Sequence, residues 1–137
     1  MKKVVVSFIT FIVIAISPLS ATETDLHINQ QALPIPAKSL ISNYFEHAQI
    51  VAVVQNRENK RFEVRTSDGK KIDFKESGEW ILIDCNREEI PFPLVPKKIR
   101  TVIAKKYGPY VHAIEMKRKK NEITVELNNH IELTFKI

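Results

Sequence analysis

The chain has 137 residues, 21 Lys/Arg against 16 Asp/Glu, a formal net charge of +5 and a single cysteine. That length suits one compact domain. One cysteine excludes an internal disulfide, and three glycines leave no G-x-G-x-x-G loop to cradle a phosphate. The charge is uneven: residues 22–89 carry nine Lys/Arg and twelve Asp/Glu, whereas residues 90–137 carry ten and four.

Lys2 and Lys3 open the chain, Val4 to Ile16 is apolar apart from Ser7 and Thr10, and small residues follow at Ser20 and Ala21. This pattern predicts a secretory signal peptide over residues 1–21, cut after Ala21. The apolar run is shorter than the roughly 18 residues a spanning helix needs. Export points to the periplasm, or to the exterior beyond it, with no membrane span in the mature chain. Residues 22–32 are polar and aperiodic and read as a flexible lead-in. Residues 33–137 then form a single domain.

Leu33-Pro34-Ile35-Pro36 fixes an extended approach, and Pro36 suits a first helical turn. Ala37, Leu40, Ile41, Tyr44, Phe45 and Ala48 follow at the spacing of one helical stripe. Gln49 to Gln55 reads as a strand apolar on both sides in its middle, which places it inside a sheet. Arg61 to Asp84 reads as a three-stranded meander. Phe62, Val64 and Thr66 alternate with charged residues, as do Ile72 and Phe74, and Trp80 to Ile83 forms a third run. Gly69 and Gly78 stand at the two turns.

The pattern then recurs. Ile90-Pro91-Phe92-Pro93 echoes the first proline-rich stretch 57 residues later, and a second helix with Ile99, Val102, Ile103 and Tyr107 on one stripe ends at Gly108-Pro109. Tyr110 to Met116 reads as the next strand, and Glu122 to Leu127 with Ile131 to Ile137 as a hairpin. Here Phe62 aligns with Ile123, Val64 with Val125, Ile72 with Leu133 and Phe74 with Phe135, 61 residues apart. The chain therefore reads as a tandem repeat, 33–85 and 90–137. The expected fold is α+β: one antiparallel sheet, two helices on one face, and the other face left open. Trp80 to Asp84 would join the two units.

Several matching positions carry a resemblance. Pro36, Ile50-x-x-Val53, Phe62-x-Val64, Asp68-Gly69, Ile72-x-Phe74, Gly78-x-Trp80 and Asp84-Cys85, followed by Pro91, Ile99, Tyr107, Ile114, Val125 and Phe135, are similar in order and spacing to the PepSY-like family. These are secreted proteins of Bacteroides-type bacteria, also described as β-lactamase-inhibitor-like. The likeness covers about residues 33–137 and implies a tandem fold resembling β-lactamase inhibitor protein (BLIP-like), a periplasmic location, and no catalytic set. Asn129-His130 stands where the second copy would carry Asp-Gly.

Nothing in the residues commits the chain to a reaction. His27, His47, His112 and His130 are scattered, with no metal-ligand spacing, so no metal and no cofactor is expected. Cys85 follows an apolar strand and reads as a buried small hydrophobe. The candidate partner-binding residues are Trp80 and the basic run Lys117, Arg118, Lys119 and Lys120. Trp80 reads as core, with an exposed interface anchor as the alternative. The basic run falls at an expected hairpin tip, where it reads as a solvated loop or as a contact for an acidic partner. The expected function is a non-catalytic, exported binding module that engages a protein or envelope component, not nucleic acid, through its open sheet face. The alternative is an inhibitor of a secreted hydrolase acting through a loop or tip, either Lys70-Lys71 or Lys117–Lys120.

Overall fold

The computed structural model describes residues 25–137. The signal peptide expected over residues 1–21 lies outside that range. Eight strands form one sheet whose spatial order is the chain order. They are β1 (Asp25–His27), β2 (Ile50–Asn56), β3 (Phe62–Thr66), β4 (Lys71–Phe74), β5 (Trp80–Asp84), β6 (Ala113–Lys119), β7 (Glu122–Leu127) and β8 (Glu132–Lys136). Every neighbouring pair is antiparallel. Helix α1 (Ile35–Tyr44) connects β1 to β2, and α2 (Lys97–Tyr107) connects β5 to β6.

Both helices start where proline dictates. Pro34 and Pro96 occupy the N-cap positions with extended backbone and leave no side-chain cap. Helix α2 ends at Gly108, whose φ of 84° with ψ of −172° is a backbone that glycine adopts without a Cβ penalty and that cannot continue the helix. Ala37 and Ile41 of α1 and Ile99 and Ile103 of α2 enter one hydrophobic cluster with Phe62, Val64, Ile72, Phe74, Ile83, Met116, Ile123 and Val125. These strand residues alternate with partly exposed ones, so the helices share one face of the sheet and the other stays uncovered.

Cross-strand register sets the core rows. Phe62 lies opposite Phe74, and Phe74 opposite Trp80, which aligns three aromatic rings across β3, β4 and β5. A bulge between Asp73 and Phe74 skips Ile81, so Trp80 shares the covered face with Ile83 and not with Leu82. Simple alternation within Trp80–Ile83 misses this one-residue slip. Gly78, at φ 94°, packs against the first proline-rich stretch: a Cβ there would meet Pro34 Cβ at 2.9 Å and Pro36 Cδ at 3.0 Å. The turn before β5 thus depends on glycine for both its backbone angle and its closeness to the start of α1.

Two elements differ from the sequence reading. Asp25–His27, within the expected flexible lead-in, forms the edge strand β1 against β2. Backbone pairing needs no apolar pattern, so the sequence carries no signal for it. Strand β6 begins at Ala113 and extends to Lys119, in place of Tyr110 to Met116. Tyr110 is 88% exposed, while Lys117, Arg118 and Lys119 pair with Thr124, Ile123 and Glu122. The basic run is therefore mostly strand, and only Lys120 and Asn121 remain to make the turn.

Candidate functional site

The strand extension determines where each basic side chain stands. Lys117 lies opposite Thr124 and, on the other side, Leu82, on the uncovered face. Lys119 follows two residues on and shares that face. Arg118 stands between them on the covered face, in line with Ile123 and Phe135. Its guanidinium lies 4.2 Å from the centre of the Trp80 ring and pairs with Glu79. Trp80 is 8% exposed and belongs to the core. Arg118 closes the end of the aromatic row, and its Nε is buried without a hydrogen-bond partner.

A shallow groove of about 590 Å³ opens beside these residues at the end of the uncovered face. Arg61, Lys75, Lys117, Lys119 and Lys120 line it, with Arg118 alongside. Asp73, Ile81 and Leu82 complete the lining. Strands β4, β5 and β6 thus gather the basic run with two cations from the first half of the chain, Arg61 and Lys75, that sequence spacing gave no reason to group with it. Some of the charge is offset locally: Lys117 Nζ is 3.4 Å from Glu115, and Lys75 Nζ is 3.9 Å from Glu79. Arg61, Lys119 and Lys120 make no ion pair among the described residues. Lys120 sits in the left-handed region at φ 50°, as the tight turn requires.

Asp73 is the one carboxylate in the groove. Burial pushes its pKa up to about 6, helped by the charge of Glu63 and opposed by Lys71, Arg65 and Arg61. Its Oδ1 is buried without a hydrogen-bond partner. Neighbouring Glu63 moves the other way. Burial works against its ionised form, but the Arg65 hydrogen bond and the nearby Lys71 outweigh burial and hold its pKa below the usual range.

A carboxyl whose pKa is higher folded than unfolded keeps its proton longer in the folded state. Stability therefore falls as pH rises from about 4 to about 6 and stays reduced above that window. Asp73→Asn removes this cost without changing shape. The carboxyl is only partly shielded from solvent, so the variant should exceed wild type by about 1 kcal/mol at pH 8, and the gap should close near pH 4. Urea unfolding at both pH values measures it. A less stable variant at pH 8 would mean that the attraction of Lys71 and Arg61 outweighs burial.

The remaining candidate side chains are held by other contacts. Lys70 is 14% exposed, paired with Asp68 and 3.4 Å from Glu88. Lys71 lies 3.3 Å from Glu63 and 3.8 Å from Asp73. Neither side chain projects freely from the Asp68-Gly69 turn. Cys85 is fully buried, and burial pushes its thiol up to about 12, far from the thiolate form that nucleophilic chemistry uses. Among the described residues, no three His, Cys, Asp or Glu side chains come close enough to hold a metal ion, and no helix is long and apolar enough to cross a membrane.

Residues 60–137, more than half of the chain, match the family described as "Putative beta-lactamase-inhibitor-like, PepSY-like". The chain belongs to this family. Solved structures share the fold. A protein from Bacteroides thetaiotaomicron, described as a putative calcium-regulated periplasmic protein, is 25% identical, with a TM-score of 0.77 over 82% of this chain and 90% of that one. A putative periplasmic protein from Bacteroides vulgatus, of the DUF2874 family, is also 25% identical, with a TM-score of 0.80 over 84% and 91%. A second Bacteroides vulgatus periplasmic protein, of unknown function, matches at 22% identity with a TM-score of 0.75 over 82% and 91%. No curated protein matches the chain.

Proposed function

We propose that this PepSY-like protein is a periplasmic, non-catalytic binding module whose basic groove on the uncovered sheet face docks an acidic segment of a partner protein. The observation that carries this reading is the convergence of Arg61, Lys75, Lys117, Lys119 and Lys120 on one groove beside exposed sheet. Five cations around one carboxylate attract anions at a distance and orient them on contact. The periplasmic descriptions of the structural neighbours support the location. Cys85, the one thiol, is buried in the core and out of reach of a substrate.

The register supports a duplicated architecture beneath this site. Leu26 of β1 pairs with Gln55 of β2, and Ile83 of β5 pairs with Met116 of β6. The leading strands are 57 residues apart (26 to 83) and the following ones 61 (55 to 116), the same two offsets that relate the sequence motifs. In this reading β5 opens the second unit as β1 opens the first, so the boundary falls before Trp80 and not after Cys85. The groove then forms where the first unit's β4 meets the second unit's β5 and β6.

Capture from envelope extract at low and high salt, with the protein immobilised, tests the reading. A partner held at low salt and released at high salt is expected, because screening weakens exposed charge pairs. Capture indifferent to salt would overturn the electrostatic groove. A second reading, inhibition of a secreted hydrolase, is favoured by the exposed turn at Lys120 and by the family's description. It requires that hydrolysis by a β-lactamase slow in proportion to added protein.

A further inference from the structure

Away from the groove, a separate, half-open cavity of about 220 Å³ lies between α2, the stretch before it and the start of β6. Its wall is chiefly apolar, with Ile90, Val95, Ile103, Val111 and Ala113 among the lining residues. Two residues stand out. Arg100, on α2, brings a guanidinium to this wall, and Phe92 stacks on it at 4.2 Å from ring centre to Cζ. Phe92 is itself 60% exposed, an apolar ring held at the surface. Glu89 and His112 also line the cavity.

The electrostatics of Arg100 are unbalanced. Its Nε is buried without a hydrogen-bond partner. No carboxylate among the described residues lies within ion-pairing distance, Glu89 included. A partly desolvated cation beside an apolar hollow is costly unless an anion compensates it. The anion that fits is small, since the cavity is small, and apolar behind its charge, since the wall is apolar. Arginine favours a planar carboxylate, which matches its fork of donors. Phe92 holds the plane of the guanidinium and extends the apolar wall outward.

We infer that the cavity between α2 and the start of β6 is a binding site for a compact hydrophobic carboxylate, with Arg100 as the anion-binding residue and Phe92 as its cover. The site is independent of the basic groove, which lies at the end of the uncovered face, so either can fail without the other.

Benzoate is a suitable probe and benzamide its neutral counterpart. Amide chemical shifts of the purified protein, titrated with each, provide the readout. Saturable changes clustered at Arg100, Ile103, Val111 and Ala113 are expected with benzoate. Benzamide should bind about 10- to 100-fold more weakly, the worth of a charge-assisted hydrogen bond. Arg100→Gln should cut benzoate affinity by a similar factor and leave benzamide nearly unchanged. Ala104→Phe, which fills the cavity, should abolish both and serves as the second variant if Arg100→Gln fails to fold. The inference is overturned if benzoate gives no saturable shift, if the shifts cluster instead at Lys117–Lys120, or if benzamide binds as well as benzoate.

Discussion

Truncating Phe74 to alanine should remove about 3–5 kcal/mol of stability, the usual cost of deleting a fully buried phenylalanine. Phe74 is completely buried between Phe62 and Trp80 in the aromatic row. Its loss leaves a cavity that neither neighbour can fill, because each is fixed in its own strand, and it also removes ring–ring contact on both sides. Total stability for a domain of this size is about 5–15 kcal/mol, so the variant should melt roughly 10–25 °C lower. Phe135 provides the contrast. It occupies a covered-face position on the edge strand β8, opposite Ile123, and is only partly buried. Phe135→Ala should cost about 1–2 kcal/mol, because less apolar area leaves water there. Thermal unfolding of both variants checks the ranking. Equal losses would mean that β8 is packed as tightly as β4.

That contrast bears on how much of the fold the sequence discloses. Period-two alternation over Phe62–Phe74 and Ile123–Phe135 predicts the hairpins, and the two proline-rich stretches predict where the helices begin. Both signals are local, and both elements form close to their expected places. Three features escaped because their causes are not local. Strand β1 is held by backbone pairing with β2, which leaves no mark in Asp25-Leu26-His27. The bulge at Ile81 arises from how β5 meets β4, and it inverts the faces of a run in which every residue is apolar. Strand β6 extends through Lys117 to Lys119 because β7 continues to pair with it, although four consecutive cations show no alternation of hydropathy. The sequence therefore groups Arg118 with the lysines as a tip residue, whereas its partners are Trp80 and Glu79. Nothing in the sequence marks Arg61 and Lys75 as part of a site, since only the folded sheet brings them beside residues more than forty positions away. The Arg100 cavity had one faint signal: an arginine on the second helix, one residue past the buried Ile99.

The division of the basic run makes the binding proposal separable from stability. Replacing Lys117, Lys119 and Lys120 together by glutamate should weaken capture of the acidic partner about 100-fold or more at low ionic strength, because three attractions become three repulsions. The three side chains are exposed, so the melting temperature should change little. At 1 M salt, with a screening length of about 3 Å, wild type and variant should bind almost equally weakly. Arg118 belongs in a different experiment. Arg118→Ala uncovers Trp80 and leaves Glu79 only its longer contact with Lys75, so it should lower stability even in the absence of partner. Asp73 adds a pH signature. Its carboxyl carries a negative charge in the groove only above about pH 6, so binding of an anionic segment should strengthen as pH falls through that value. In Asp73→Asn this dependence should disappear while the salt dependence persists. A triple glutamate variant that binds as tightly as wild type at low salt would remove the groove from the mechanism. The uncovered rows of β7 and β8 would then be the part of the face left to test.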